Sequence, residues 1–200
     1  MSKNLLLIFT RNPEIGKVKT RLAKSIGDVA ALKIYNFLLS HTKEVAEKGA
    51  FDIAVYYSEK IKENDIWAGP KFRKYIQNGS DLGERMLKAF EEGFEKSYTK
   101  IVIVGSDLYD LELSHINEAF DSLDKTEVVI GPAEDGGYYL LGLKRIIPRI
   151  FRNKKWGTET VRKDTLKDLQ DLSVHLLPTL NDIDVFEDIQ YNSIFDQFYK

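Results

Sequence analysis

Short unbroken apolar runs alternate with longer stretches whose apolar residues recur every three or four positions. Leu5 to Phe9 is such a run, the signature of a strand covered on both faces. From Asp28 to Lys48, Leu32, Tyr35, Leu39, Thr42 and Val45 fall at helical spacing, and Gly49 stands where that helix should stop. Phe51 to Tyr57, rich in β-branched and aromatic residues, predicts a second strand. Asp81-Leu82-Gly83-Glu84 has capping-box spacing, and Met86, Phe90 and Phe94 extend one helical face behind it. Ile101 to Val104 is the strongest strand signal and predicts a central place in a sheet. Ser114 is the expected cap of a helix bearing Ile116, Ala119, Phe120 and Leu123. Val128 to Ile130 and Tyr138 to Leu141 predict two more strands around a Gly/Pro-rich turn. A helix from about Thr158 to Leu172, a strand around Val174 to Leu177 and a final helix from about Val185 to Phe198 complete the pattern.

Strands alternating with helices imply an α/β fold, a three-layer α/β/α sandwich with a mostly parallel sheet. No repeat, linker or low-complexity tract divides the chain, so residues 1–200 are expected to form one domain. Hydrophobic residues at 43% and charged residues at 30% suit a globular protein rather than a disordered one. A formal charge of -2 argues against a general nucleic-acid or membrane-surface binder. With Cys at 0, disulfides, zinc–thiolate sites and cysteine nucleophiles are excluded. The run Leu5 to Phe9 is too short for a secretory signal and no apolar stretch is long enough for a membrane span, so the expected location is cytoplasmic.

In a sheet of this kind ligands bind beyond the carboxyl ends of the strands. After the first strand, Arg11-Asn12-Pro13-Glu14-Ile15-Gly16-Lys17-Val18-Lys19-Thr20-Arg21 sets four cations on a turn. Cations beside free backbone N–H groups suit a polyphosphate, and the loop is expected to bind phosphate rather than to stabilise the fold. It is not a Walker A loop, since Gly16-Lys17 is followed by Val18. Asp107, at the end of Ile101 to Val104, could hold a hard divalent ion or simply cap a turn. Glu134-Asp135-Gly136-Gly137-Tyr138 places two acids and two glycines where backbone can approach a ligand closely. Asp182 and Asp184 could cap the last helix or give the metal a second carboxylate. His41, His115 and His175 are scattered and lack metal-ligand spacing. The basic stretch Lys144, Arg145, Arg149, Arg152, Lys154 and Lys155, with Trp156 beside it, could steer an anionic acceptor, but it reads first as a solvated surface anchored by one aromatic.

Several blocks together resemble a known family. These are Phe9 to Leu22, Gly79 to Met86, Gly105-Ser106-Asp107, Gly131 to Tyr139, Trp156-Gly157-Thr158, and Asp182-Ile183-Asp184 with Glu187-Asp188. Their order resembles that of the bacterial and archaeal glycosyltransferase-like proteins associated with radical-SAM and selenium-domain proteins. That family is similar in fold to 2-phospholactate guanylyltransferase and molybdenum-cofactor guanylyltransferase. The resemblance implies the nucleotide-diphospho-sugar transferase (GT-A) fold. It further implies that Arg11, Gly16, Lys17, Lys19 and Arg21 bind nucleotide phosphates, and that Gly79, Asp81 and Gly83 approach the nucleobase. Asp107, with Asp182 or Asp184, would hold Mg²⁺ or Mn²⁺, and Glu134, Asp135, Gly136, Gly137 and Tyr138 would face the acceptor or sugar. Lys19, Arg21 and Asp135 are the expected catalytic groups. The chain departs from the family at Leu108-Tyr109, where a Cys-Pro pair is usual, and it carries Asp107-x-x-Asp110 in place of Asp-x-Asp.

Metal-dependent nucleotidyl transfer from a nucleoside triphosphate to a small acceptor is the first expectation, because four cations suit a triphosphate. Glycosyl transfer from a nucleotide sugar is the second, and a non-catalytic nucleotide-binding module the third.

Overall fold

The computed structural model describes residues 3–200. Strand β1 (Asn4–Thr10) lies between β2 (Asp52–Tyr57) and β4 (Lys100–Gly105), parallel to both. With β3 (Phe72–Ile76), β5 (Val128–Pro132), β6 (Tyr138–Leu143) and β7 (Val174–Leu176) they form a seven-stranded sheet of order β3-β2-β1-β4-β6-β5-β7. Only β6 runs against the rest, pairing antiparallel with β4 and β5. The mostly parallel sheet of the sequence reading is present, and Ile101 to Val104 occupies its central strand.

The continuous apolar run of β1 is needed because both faces are covered. Leu6 and Ile8 pack toward α2 (Asp28–Glu47) and α4 (Leu113–Ser122), with Tyr35, Leu39, Ile116 and Phe120. Leu5 and Leu7 point the other way, to Met86, Ala89 and Phe90 of α3 (Leu82–Glu95). That second layer is completed by the 3-10 turn Pro148–Phe151 and α5 (Val161–Asp168). A third cluster joins Leu22 of α1 (Thr20–Ile26) and Ile34 and Leu38 of α2 to Ile183, Ile189 and Phe195.

Three local expectations differ from the structure, and one strand carries no expectation. Strand β3 has no clear apolar signal because it is an edge strand, with Arg73 and Lys74 between Phe72 and Tyr75. The helix expected from about Thr158 to Leu172 is confined to Val161–Asp168. Ser114 lies inside α4, whose N-cap is Glu112, and its hydroxyl donates to Glu112 Oε2 at 3.1 Å. The long C-terminal helix is replaced by 3-10 turns at Phe186–Asp188 and Ser193–Phe195 and a four-residue α6 (Asp196–Tyr199). Asp188 Oδ2 accepts the N–H groups of Asp184 and Val185 at 2.7 Å each, and Asn192 Oδ1 accepts that of Ile194 at 3.2 Å. These side chains compete with the helical ladder. Ile183, Ile189 and Phe195 recur every six residues, a spacing that pins a strap rather than a helix face.

If this strap is integral to the fold, Phe195→Ala should lower stability by about 3–5 kcal/mol, the usual cost of truncating a buried aromatic. Tyr191→Ala, at a position 93% exposed, should change it by less than about 0.5 kcal/mol. Urea unfolding of the two variants measures both effects, and a small loss at Phe195 would contradict the packing.

Candidate active site at the strand ends

The register Phe9↔Gly105 brings the chain out of β1 and β4 side by side. Backbone leaving a covered sheet carries buried polar groups that need partners. The Tyr35 hydroxyl supplies several of them. It accepts the Arg11 N–H at 2.9 Å and lies 3.2 Å from Thr10 Oγ1 and 3.4 Å from Ser106 Oγ. Asn12, 3% exposed, does the same toward β2. Its Oδ1 accepts from Glu59 N at 3.0 Å and Lys60 N at 3.2 Å, while Nδ2 donates to Lys60 O at 2.7 Å.

The loop thus fixed ends at Lys19, which caps α1 in the left-handed region (φ 48, ψ 42). A non-glycine residue there stores strain that the surroundings must hold. The Lys19 side chain is only 4% exposed, and its Nζ meets Asp107 Oδ2 at 2.7 Å. Burial works against the ammonium charge, but Asp107 beside it, with Asp184 and Asp182 farther off, outweighs this and raises its pKa. The expectation that all loop cations are phosphate-facing turn residues without a part in the fold is corrected at this position. Arg11, Lys17 and Arg21 are exposed. Lys17 pairs with Glu14 at 2.9 Å and Glu59 at 3.4 Å, and Arg21 with Asp184 at 2.8 Å. Lys60, with Lys17, holds the Glu14 carboxyl at about 2. Gly16 has φ 72, which lets the loop turn between these pairs.

Asp107, Asp135 and Asp182 line one crevice of about 220 Å³. Its walls are largely apolar and include Phe9, Met86, Tyr138 and Trp156. Burial raises the Asp182 pKa to about 6, and the charges of Asp107 and Asp135 add to the effect. Ile183 N donates to Asp107 O at 3.4 Å, tying the C-terminal strap to the end of β4. Asp184 is turned to Arg21 and does not line the crevice.

Other expected site residues are distributed between ligand-facing and structural positions. Asp81 caps α3 by accepting Glu84 N at 2.8 Å, but Glu84 Oε2 accepts Ser80 N, one residue before the cap, at 2.8 Å, so only one of the two capping-box bonds is formed. Gly79 has φ 151, and a Cβ there would come within 2.8 Å of Arg85 N. Gly83 is buried, where a Cβ would meet Phe151 O at 2.2 Å and the Trp156 ring at 2.6 Å. Of the turn 134–138, Asp135, Gly137 and Tyr138 line the crevice, whereas Gly136 packs on the Glu159 backbone and Glu134 points outward. Tyr138 Oη, Trp156 Nε1 and Thr165 Oγ1 are buried and make no hydrogen bond of normal geometry among the described residues, although Thr165 lies close enough to Tyr138 to act on its hydroxyl. Sequence reasoning missed Tyr35, Asn12 and Trp156 as parts of the site. Tyr35 reads as an ordinary core position on a helix face, and only the Trp156-Gly157-Thr158 block hinted at the indole.

Among the described residues no three His, Asp or Glu side chains gather into an all-protein metal cage. Asp107 and Asp182 are hard oxygen donors on one crevice, and their mutual repulsion, felt at Asp182, is what a cation relieves. That donor set fits Mg²⁺ or Mn²⁺, which take one or two carboxylates and complete their shell with water and phosphate.

Residues 41–158 match the model of a family described as an uncharacterized protein conserved in bacteria (DUF2064). The chain belongs to that family. The DUF2064 match includes Asp107, Asp135 and Trp156 and ends before Asp182. No curated protein sequence matches the chain. Among solved structures, one from Desulfovibrio desulfuricans G20, provisionally assigned as a nucleotide-diphospho-sugar transferase, is 32% identical with a TM-score of 0.88. The match covers 96% of this chain and 88% of that one. The inositol-1-phosphate CTP transferase of T. maritima is 13% identical with a TM-score of 0.59, covering 97% and 94% of the two chains. Rv0371C of Mycobacterium tuberculosis H37Rv, crystallised with manganese, is 14% identical with a TM-score of 0.56, covering 94% and 97%. At those last two identities the likeness is one of fold. The fold is thus of the nucleotide-diphospho-sugar transferase type.

The Asp182 environment has a measurable consequence in metal-free protein. Its folded pKa of about 6 exceeds the ordinary 3.8, so between these values the folded state holds the proton more tightly than the unfolded chain. Stability is therefore lost as pH rises from about 4 to about 6. Asp182→Asn removes the penalty and should be more stable than wild type at pH 7.5 by about 1–3 kcal/mol. The two proteins should converge below pH ~4. Urea unfolding at the two pH values tests this, and equal stabilities at pH 7.5 would contradict it.

Proposed function

We propose that this chain is a nucleotidyltransferase, assisted by Mg²⁺ or Mn²⁺, that moves a nucleotidyl group from a nucleoside triphosphate to a small acceptor. The observation that carries the reading is the pairing of the buried Lys19 with the half-buried Asp107, set where β1 and β4 end, on a crevice that Asp107 and Asp182 line. A buried ammonium held beside carboxylates is fixed before substrate arrives, as charge stabilisation of a transferring phosphoryl group requires. The fold shared with the cytidylyltransferases supports the same reading.

In this reaction an acceptor oxygen attacks the α-phosphorus, the bond from that phosphorus to the bridging oxygen breaks, and pyrophosphate leaves. Lys19 neutralises charge on the transferring group. Arg11, Lys17 and Arg21, exposed along the loop, bind the β- and γ-phosphates, with Lys17 and Arg21 exchanging Glu59 and Asp184 for them. Asp107 and Asp182 hold the divalent ion, which when bound stabilises charge on the phosphate oxygens. Asp135 and Tyr138, on the apolar crevice, orient the acceptor and exclude water. A second reading, glycosyl transfer from a nucleotide sugar, is favoured by the assignment of the Desulfovibrio protein. Asp135 would then take the proton of the acceptor hydroxyl.

The product decides between the two readings. Pyrophosphate release from nucleoside triphosphates supports nucleotidyl transfer, release of nucleoside diphosphate from nucleotide sugars supports the second, and neither product across an acceptor panel overturns both. Asp107→Asn keeps the size and hydrogen-bonding reach of the side chain while removing its charge. It should lose some stability, because the buried Lys19 keeps a hydrogen-bond acceptor but no charge there, yet remain folded at 25 °C and slow turnover at least about a hundredfold, as expected for loss of one charge–metal contact. A variant with wild-type turnover would remove Asp107 from the chemistry.

A further inference from the structure

The basic stretch 144–155 takes no part in the crevice. It carries six cations and no acid, in a chain whose formal charge is -2. It folds with α5 around a groove of about 710 Å³, within the size range of small-ligand sites. Arg145, Arg149, Arg152, Lys154 and Lys167 line this groove against two acids, Asp164 and Asp168. The groove and the crevice share no lining residue.

The cations fall into two sets. Lys154, expected on a solvated surface, has a side chain only 3% exposed and is paired with Asp168. Arg149 donates to the Asp168 carbonyl at 2.6 Å and pairs with Asp171, while Arg145 pairs with Glu127 at 2.9 Å. These three are held in place. Arg152 and Lys167 are exposed and have no acid partner among the described residues. A groove with one buried cation and two exposed ones held by acids, beside two cations that no acid pairs, binds an anion at reduced entropic cost. Guanidinium and ammonium groups together suit phosphate oxygens, the first as a fork and the second as a point charge.

We propose that this groove is a second anion site, separate from the strand-end crevice, for a small molecule carrying two or more phosphate groups. Asn153 (φ 55) and Lys154 stand just before Trp156, which lines the crevice, so a ligand in the groove bears on the segment that shapes the acceptor side.

An amide NMR titration with inorganic tripolyphosphate, without divalent metal, tests the proposal. Shifts should appear and saturate at residues 145–154 and 164–168, and inorganic phosphate should bind there at least about tenfold more weakly. Arg152→Ser with Lys167→Ser should weaken tripolyphosphate binding at these residues about tenfold or more. Lys33→Ser with Lys48→Ser makes the same charge change on exposed α2 and turn positions, and should leave binding within about twofold. Equal weakening by both double variants would mean a general charge effect and overturn the site. Shifts confined to residues 11–21 would also overturn it while leaving the transferase reading intact.

Discussion

Strand β1 is hydrogen-bonded in parallel on both sides and covered on both faces, so its chain can leave the sheet only at its ends. At the carboxyl end this forces Thr10 and Arg11 out beside Ser106 and Asp107, in a place too enclosed for water to satisfy every polar group. An unpaired buried backbone group costs as much as a lost hydrogen bond. Tyr35, reaching from α2, answers that need for the Arg11 N–H and also meets the buried Ser106 hydroxyl after β4. Asn12 answers it for the loop after β2. Once these are fixed, the loop has one course, and it delivers Lys19 to Asp107 with its backbone in a left-handed turn. A buried charge needs a partner in good geometry, which ties the two loops together more firmly than either could manage alone.

The same constraint explains why so much chemistry collects at one edge. Because β5 runs with β1 and β4 and only β6 is reversed, the hairpin between β5 and β6 turns at this edge and presents Asp135 and Tyr138 there. Beyond β7, Leu180 continues the pairing with Ala133, and Leu180 N donates to Pro132 O at 3.1 Å. That extension carries Asp182 to the crevice and hands the chain to the strap over α1 and α2. Three acids from three separated segments therefore meet through strand direction alone.

Patterns decided by both local spacing and long-range packing were legible in the sequence, and patterns decided by packing alone were not. Leu5 to Phe9 and Ile101 to Val104 read correctly because strands covered on two faces must be apolar throughout. The edge strand around Arg73 and Lys74 gave no such signal, since one flank faces solvent. The segment from about Val185 to Phe198 reads as a helix because its apolar residues also fit a loose helical pattern, while the decisive Asp188 and Asn192 bonds are invisible to periodicity. Of the site, Asp107 was legible from its place after the central strand. Lys19 could not be separated from Lys17 or Arg21 by composition, although one is buried and the others are exposed. Asp182 could not be separated from Asp184, because two residues' difference along a strap decides which one turns inward.

The charge balance of the crevice links its structure to the proposed reaction. Lys19 is a buried cation paired with Asp107 and near Asp184 and Asp182, and the crevice walls of Phe9, Met86 and Trp156 keep the local dielectric low. Burial makes Asp182 hold its proton, and three carboxylates against one ammonium leave excess negative charge that adds to the effect. An anionic nucleotide alone would deepen that imbalance, and a divalent cation alone would meet acids already partly neutralised by Lys19. Under the proposed reaction the metal offsets the excess charge of the acids, and the phosphates are met by the metal, by Lys19 and by the exposed loop cations Arg11, Lys17 and Arg21. Binding of each should therefore favour binding of the other, a coupling set by the fixed positions of one lysine and three aspartates rather than by any movement of the sheet.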